Sequence, residues 1–308
     1  MAGVSNAGVS SALYDPTVTD PTATAGNGRT RKRTERSRPR LGRTAILVIS
    51  ALYFIGPLVG SFWFTVDSDP VTGFTWSAYS QIFSVSGLWP SLQLSLLLAV
   101  ATIALVFLLL IPTVIAVRLG SPRLRSVVEF TCMLPLVVPS IALTAGINIL
   151  LRWGSDNLQP TPFWDTLVAI QNSSFPVVLL LAYVVMALPL AFRTLDAGMR
   201  ALDVRTLLEA AQNNGASRTR AIFFVVLPNL RGAMLNAGML TLALVLGEFT
   251  VSSILGYTPF AVWIVNGNAA GDGTVTTAVS LVSMVLTWAL LLVLSLTGGR
   301  RSAAAKPA

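Results

Sequence analysis

Six long apolar segments constrain the fold of this 308-residue chain more than any other feature. About 20 consecutive apolar residues form a helix that crosses the hydrocarbon core of a bilayer, where lipid offers no partner to free backbone groups. Only 11% of the residues are charged, against roughly a quarter in soluble domains. The sequence therefore predicts an all-α membrane protein with six transmembrane helices. The predicted spans cover about residues 44–65, 91–117, 130–151, 175–193, 233–255 and 275–297.

The positive charges indicate how these spans are oriented. All but one of the 21 lysines and arginines lie in the two tails, between spans two and three, or between spans four and five; the exception is Arg152. Cytoplasmic loops of membrane proteins carry such an excess of basic residues. Both termini are therefore predicted to face the cytoplasm, with the chain in the bacterial plasma (inner) membrane. Membrane lipid is the expected partner of the basic charge, and nucleic acid is not.

Three regions follow from this topology. Residues 1–42 are rich in Gly, Ser, Thr and Pro and then basic, which is typical of a disordered tail. The six-span domain is predicted over residues 43–298, and a short cytoplasmic tail over 299–308. No small-residue cleavage site follows the first apolar segment, so we expect that segment to stay in place as an anchor.

The chain lacks the residues that most catalytic and metal sites need. It has no histidine and one cysteine, Cys132, which lies in an apolar segment. Neither of its lysines, Lys32 and Lys306, follows the Gly-x-x-x-x-Gly pattern of a phosphate-binding loop. We therefore expect no catalytic residue, no metal site and no cofactor in this chain, and no enzymatic activity of its own.

The loop of about residues 194–231 is far longer than a turn between two spans needs. Asp203 is a suitable N-cap for a first short helix, and Gly215 suits a left-handed residue at the end of that helix. Ser217 can cap a second short helix, which Pro228 is expected to end. The loop is therefore predicted to form a helix–glycine–helix elbow at the cytoplasmic face.

A spaced motif lies in this elbow. It consists of Glu209, Ala210 and Ala211, then Gly215 after three residues, Val225 after nine more, and Leu227 with Pro228 after one more. The spacing resembles the EAA motif of type I ABC import permeases, with Val225 where that family has isoleucine. The resemblance implies that the elbow contains a coupling helix, which docks into an ATP-binding subunit. Leu207, Leu208 and Ala211 are then expected to supply its apolar contact, and Glu209 a charge.

The same resemblance implies the partners of the chain. Two ATP-binding subunits would bind ATP and magnesium, a second permease, identical or homologous, would complete the pathway, and an extracellular or periplasmic solute-binding protein would deliver the solute. Closure of the ATP-binding subunits would turn the spans from an inward-open to an outward-open arrangement. The alternatives are a membrane-embedded enzyme and a stand-alone secondary transporter, which should show internal repeats.

Glu248 is predicted to lie deep in the fifth span. A charged side chain there costs about 2.5 kcal/mol or more against lipid, so it should face protein or a water-filled cavity. Thr241 lies seven residues before it and Ser252 four residues after it, on the same face of a continuous helix. Two roles stay open for this polar stripe: an interhelical hydrogen bond, or a lining of the solute pathway.

The stretch from Gly247 to Gly256, GEFTVSSILG, resembles permeases of the spermidine/putrescine group. Related Gly-Glu-Phe stretches also occur in iron, sulfate and molybdate permeases. A polyamine is therefore the expected solute, with iron, sulfate, molybdate or another small solute as the alternatives.

Overall fold

The computed structural model describes residues 41–66, 73–120, 122–159, 161–269 and 273–299. Nearly all of the two predicted tails lies outside these ranges, so the tails stay predictions. Two compact units divide the chain, Met1–Ser50 and Ala51–Ala308. The described part of the first unit is the start of one helix, and the other described elements belong to the second unit.

Regular secondary structure in the described ranges is helical apart from an isolated bridge at Gly73. A short 3₁₀ turn covers Ile82–Ser84, and a π-helical turn covers Ile222–Val226. The predicted all-α class is therefore confirmed for the described residues. The α-helices are α1 (Leu41–Val66), α2 (Ser77–Gln81), α3 (Leu88–Leu119), α4 (Pro122–Val137), α5 (Ser140–Asn157), α6 (Phe163–Ala169), α7 (Val177–Ala201), α8 (Val204–Asn213), α9 (Arg218–Ala221), α10 (Leu227–Gly247), α11 (Thr250–Ile254), α12 (Phe260–Ala269) and α13 (Gly273–Gly299).

Four helices in the described residues are long and apolar enough to cross a membrane. They are α1 from Ala45 onward, α3, α7, and the helix Arg218–Gly247 that α9 and α10 form together. The bent pair α4 and α5 makes a fifth span if it crosses as one unit. α13 contributes a shorter apolar segment, Gly273–Ala289. The described ranges thus contain four or five candidate spans, and the predicted sixth stays a prediction.

The third predicted span, residues 130–151, is not one uninterrupted helix. α4 and α5 meet at an angle of 96° around Val138 and Pro139. Pro139 has an extended backbone, with a ψ of 140°, and it has no N–H to donate to a helix. A proline also disfavours helical geometry in the residue before it. The break therefore follows from Pro139, where a proline in an apolar span is expected to kink the helix; the observed bend divides the segment into two helices.

The fifth span begins earlier than predicted, because α9, the π turn and α10 form one continuous helix from Arg218 to Gly247. The predicted helix end at Pro228 is therefore wrong. Pro228 lies at the start of α10, directly after the wider π turn, where the normal donor pattern already changes. The Asn229 side-chain amide donates to the Val225 carbonyl at 2.8 Å. The Val225 carbonyl, three residues before the proline, thus keeps a hydrogen-bond partner.

α7 is the central helix of the described core. It packs against α3, α4 and α10, and its residues Leu179, Tyr183 and Leu195 are fully buried. Gly198 lets α10 come close, because a β-carbon at that position would overlap the Ala233 side chain. α7 also continues to Ala201, beyond the predicted end of its span, and so leads directly into the predicted elbow.

Candidate functional site

The predicted elbow consists of α8, a joint at residues 214–217, and α9. At its start, the Asp203 carboxylate accepts hydrogen bonds from the Thr206 hydroxyl at 2.7 Å and from the Thr206 amide at 3.2 Å. These bonds cap the first turn of α8. They also hold the pKa of Asp203 below its ordinary value, with the bond from the Thr206 hydroxyl as the main cause.

The joint after α8 depends on a left-handed glycine. Gly215 has a φ of 84°. The amides of Gly215 and Ala216 donate back to the carbonyls of Gln212 at 2.8 Å and Ala211 at 3.0 Å, which is the Schellman pattern at a helix end. The Ser217 side chain then caps α9. The predicted caps and the glycine bend are confirmed, whereas the second helix is the start of the long helix Arg218–Gly247 and not a short one.

One face of α8 is fixed to the rest of its own chain. Val204 and Leu208 are buried in the main core, together with Val226 of the π turn. Ala211 is partly buried against the same core, and Leu207 is half-buried. Intrachain packing thus covers Leu208 and part of Ala211, and the predicted partner contact through Leu207, Leu208 and Ala211 stays a prediction. An amphipathic helix first buries its apolar side against its own core.

The opposite face of α8 is polar and open. Its exposed residues are Arg205, Thr206, Glu209, Ala210, Gln212 and Asn213. Glu209 forms an ion pair with Arg205, one turn back, at 3.2 Å. The two side chains are 61% and 85% exposed, so the pair contributes little in water and can be replaced by a partner.

The last two motif positions lie on a different helix. Leu227 and Pro228 begin α10; Leu227 is half-buried and Pro228 is exposed. They follow the π turn against which α8 packs. The structure therefore places them at the base of the elbow, whereas Glu209 and Ala210 lie on its outer face.

The second candidate site is a break in the helix around Glu248. α10 ends one residue before Glu248 and α11 begins two residues after it. Glu248 is buried, with 8% of its surface exposed. Its carboxylate accepts from the amide of Val251 at 2.9 Å and from the amide of Ser252 at 3.3 Å. These two amides, which lack partners inside α11, thus have a charged acceptor.

This geometry changes the predicted polar stripe, which assumed one continuous helix. The Ser252 hydroxyl lies 3.5 Å from Glu248 Oε2. The buried Thr241 hydroxyl instead donates to the Ala237 carbonyl of its own helix at 2.9 Å. The buried Tyr183 of α7 lies beside Ser252 and Glu248, and its hydroxyl makes no hydrogen bond of ordinary geometry within the described residues. The structure brings Ser252 and Tyr183 to Glu248, and leaves Thr241 bonded to its own helix.

Residues 109–299 match the family described as binding-protein-dependent transport system inner membrane component. The chain belongs to this family. The matched region contains both the elbow and the break at Glu248. The fold is also similar to a solved structure described as a bacterial ABC transporter involved in the import of the acidic polysaccharide alginate. The TM-score is 0.60 at 15% identity, over 84% of this chain and 94% of that one; at this identity the likeness concerns the fold.

As an inner-membrane component of a binding-protein-dependent system, the chain is a transport protein. The resemblance to type I ABC import permeases is thus confirmed at the level of family and fold. The two alternatives, a stand-alone secondary transporter and a membrane-embedded enzyme, lose their support. Within the described ranges, no group of three or more His, Cys, Asp and Glu side chains could hold a metal ion.

An ion-pair network near the C-terminal end of α7 is missing from the sequence-based predictions. The Asp196 side chain is 7% exposed and contacts the Arg118 guanidinium of α3. Its other carboxylate oxygen accepts from Arg200, one turn further along α7, at 2.6 and 2.9 Å. Asp196 follows the predicted end of the fourth span, where an aspartate gives no sign of burial. The four-residue spacing to Arg200 was the available signal.

Proposed function

We propose that this permease forms the solute pathway of an ATP-driven importer by alternating access, and that α8 couples it to the ATP-binding subunits. The two different faces of α8 carry this proposal. One face is buried in the core of the chain, and the other is polar and exposed. Such a helix is held firmly enough to transmit a movement and is still open to a partner.

The connection from α8 into the membrane supports this role. α8 packs against α9 and the π turn, which continue without interruption into α10. The continuous helix has 30 residues, which is roughly 45 Å at about 1.5 Å per residue. A displacement of α8 would therefore tilt this long helix and move the break at Glu248, where the helix ends.

The proposed complex contains two ATP-binding subunits, a second permease that is identical or homologous, and an external solute-binding protein. ATP and magnesium would bind in the partner subunits, because this sequence has no phosphate-binding loop. Their closure would bring two elbows together and change the pathway from inward-open to outward-open.

Reversing one charge on the exposed face of α8 tests the coupling role. We propose that Glu209 pairs with a basic group of the ATP-binding subunit; in the reconstituted complex, Glu209→Lys should then remove most of the solute-stimulated ATP hydrolysis, because it would place like charges together. This change also breaks the pair with Arg205. The double variant Arg205→Glu/Glu209→Lys is therefore the matched control, since it restores an ion pair within α8 and keeps the reversed charge at position 209.

The double variant should stay uncoupled, while both variants reach the membrane in normal amounts. Normal stimulation in Glu209→Lys would show that the exposed face of α8 is not the coupling surface. Recovery of solute-stimulated ATP hydrolysis in the double variant would show that coupling depends on the ion pair within α8 and not on a contact across the interface.

The proposed orientation has a separate test. Single cysteines are introduced at the exposed positions Asn157 and Thr219 in a Cys132→Ser background, and intact cells are treated with a membrane-impermeant thiol reagent. With the elbow in the cytoplasm, the cysteine at position 157 is labelled and the one at position 219 is not. The reverse pattern would invert the topology.

We further propose a cationic solute, with a polyamine first and iron as the next candidate; sulfate and molybdate are the anionic alternatives. The support is a buried carboxylate at a helix break, in a stretch that resembles spermidine/putrescine permeases. Glu248→Gln should lower spermidine uptake severalfold with near-normal basal ATP hydrolysis. Glu248→Asp is the matched control, because it keeps the charge and both acceptor oxygens.

The two variants separate charge from capping. Uptake that is lost with Gln and kept with Asp supports a role for the charge in solute passage. Wild-type uptake in Glu248→Gln, over a range of solute concentrations, would contradict that role. Equal losses in both variants, accompanied by lower thermal stability, would assign Glu248 to helix capping instead.

A further inference from the structure

Two hollows meet at the cytoplasmic end of α3. The larger is an apolar groove of about 590 Å³ between α3 and the first turns of the Arg218–Gly247 helix. Along α3 its lining extends from Ala104 to Leu119, and Phe223 and Arg218 lie on the opposite wall. This length of α3 is roughly 22 Å at about 1.5 Å per residue. One leaflet contributes about 15 Å of a hydrocarbon core about 30 Å thick, so the groove is long enough for an acyl chain.

The smaller hollow is polar and has a volume of about 300 Å³. It shares Leu119 and Arg218 with the groove, so the two are continuous. Arg118 and Arg205 also line it, and Glu209 is the acidic residue of its lining. Basic side chains therefore outnumber acidic ones at the cytoplasmic end of the apolar groove.

One basic residue of this hollow has unused capacity to bind an anion. Arg218 forms no ion pair within the described part of the chain. Arg118 and Arg205 are already paired, with Asp196 and Glu209 respectively. Because guanidinium donors suit phosphate oxygens, Arg218 is the residue of the hollow that is open to a phosphate.

We propose that the combined site binds one anionic phospholipid of the cytoplasmic leaflet. An acyl chain lies in the groove along α3, and the phosphate lies beside Arg218 on the α3 side of the hollow, away from the exposed face of α8 that is proposed to dock. The groove alone would accept any apolar occupant, and the hollow alone would accept any small anion. Their junction at Arg218 matches the junction between chain and phosphate in a phospholipid. Basic pockets between helices on the cytoplasmic side are known to bind such headgroups.

The inference goes beyond the transport role and uses only the cytoplasmic orientation proposed above. A lipid in this site contacts α3 on one side and the start of the long helix on the other. It therefore stabilises the base of the elbow in one position. The position of the elbow then depends on the anionic lipid content of the membrane.

Lipid retention by the purified full-length chain tests the site. The chain is titrated in detergent micelles with phosphatidylglycerol, or with phosphatidylcholine of the same acyl chains, and retained lipid is counted by native mass spectrometry. We expect one retained phosphatidylglycerol and at least about tenfold weaker retention of phosphatidylcholine. Arg218→Gln should weaken retention of phosphatidylglycerol by about tenfold. Arg220→Gln is the matched control, because it removes the same charge from α9 outside both hollows.

A second pair of variants tests the groove. Ala116→Phe fills the groove and should weaken retention, whereas Leu109→Phe adds bulk to α3 outside the lining and should not. Equal losses of phosphatidylglycerol retention in Arg218→Gln and Arg220→Gln would show that retention depends on the overall positive charge and not on this site. That result would overturn the proposal. Undiminished retention in Ala116→Phe would overturn it as well.

Two further results would assign the site to another occupant. Displacement of the lipid by soluble glycerol phosphate at similar concentration would show a free-phosphate site and overturn the proposal. Lipid that is bound by the isolated chain but excluded from the assembled transporter would show that a protein partner covers the groove, and would also overturn it. Retention of the lipid in the assembled transporter supports the proposal.

Discussion

Two of the helix interruptions in this permease differ in their surroundings, the joint at Gly215 and the break at Glu248. The joint at Gly215 is exposed, and Schellman bonds and a side-chain cap cover its open backbone groups. The break at Glu248 is buried, and a charged carboxylate accepts from the amides of Val251 and Ser252.

The difference follows from the solvent. At the elbow, an amide that loses its cap can bond to water. At the break the amides are buried in the protein, where an unsatisfied backbone group costs about 1–3 kcal/mol, so the partner must come from the protein. We infer that the elbow joint can rearrange at low cost, whereas the break at Glu248 can change its bonding only if another acceptor takes the place of the carboxylate.

The largest expected effect is at the buried break. Glu248→Leu leaves two buried amides without an acceptor, at about 1–3 kcal/mol each. The free energy of unfolding in detergent should therefore fall by about 2–6 kcal/mol. Ser252→Ala is the control; it removes the hydroxyl contacts to the Phe249 and Glu248 carbonyls and to the carboxylate, leaves the amide bond to Glu248 in place, and should cost about 1 kcal/mol. Wild-type stability in Glu248→Leu would mean that water reaches these amides, and the contrast with the elbow would fail.

A smaller effect is expected at the exposed joint. Gly215→Val forces a branched side chain into a left-handed backbone, which costs roughly 1–2 kcal/mol. Open space surrounds the position, so the cost comes from the backbone alone. Amide hydrogen exchange in α8 should accelerate by about tenfold. Gly215→Asn should behave nearly as the wild type, because asparagine tolerates this conformation. Equal acceleration in both variants would point to side-chain bulk and not to φ.

The cap of α9 should contribute less than the glycine. Ser217→Ala removes the acceptor for the first turn, which is typically worth about 1 kcal/mol. We expect faster amide exchange in α9 alone, because Ser217 caps only the first turn of that helix. The amides at the break should not change, because they bond to the Glu248 carboxylate. Ser217→Asp keeps an acceptor and should protect α9. A change that spreads to α10 would show that the elbow and the break are energetically connected.

The smallest effect concerns Asp203 and pH. Its pKa is lower in the folded protein than the ordinary 3.8. The ionised cap therefore stabilises the start of α8 above that value, and this contribution is lost as the pH falls through the lowered folded pKa. Protection of the Thr206 amide against exchange, after correction for intrinsic rates, should decline in that window. Asp203→Asn should remove this pH dependence, and an identical decline in that variant would assign the effect to another group.

The elbow could be predicted because its determinants are local. Asp203, Gly215 and Ser217 act on backbone groups within a few residues of themselves, so their neighbours in the sequence are sufficient. The face that α8 turns to a partner could not be predicted in the same way. The sequence pattern shows that Leu208 belongs to an apolar face, but only the packing of the π turn shows that this face is already covered.

The membrane interior was less predictable because continuous hydropathy hides helix breaks. The apolar segments at residues 130–151 and 233–255 predict single helices, yet Pro139 bends the first and Glu248 ends the second. The predicted polar stripe of Thr241, Glu248 and Ser252 assumed that all three residues lie on one helix. The break at Glu248 places Thr241 and Ser252 on different helices, so they share no helical face. Asp196 was missed because its partner Arg118 is distant in the sequence.

That distance has a consequence for the order of assembly during synthesis. Arg118 precedes Asp196 by 78 residues. At about 5–20 residues per second, the ribosome needs roughly 4–16 s to reach the aspartate. During this interval the Arg118 side chain has no Asp196 carboxylate with which to pair. The ion pair between Arg118 and Asp196 can form only after α7 has been synthesised. It is therefore a late contact between α3 and α7.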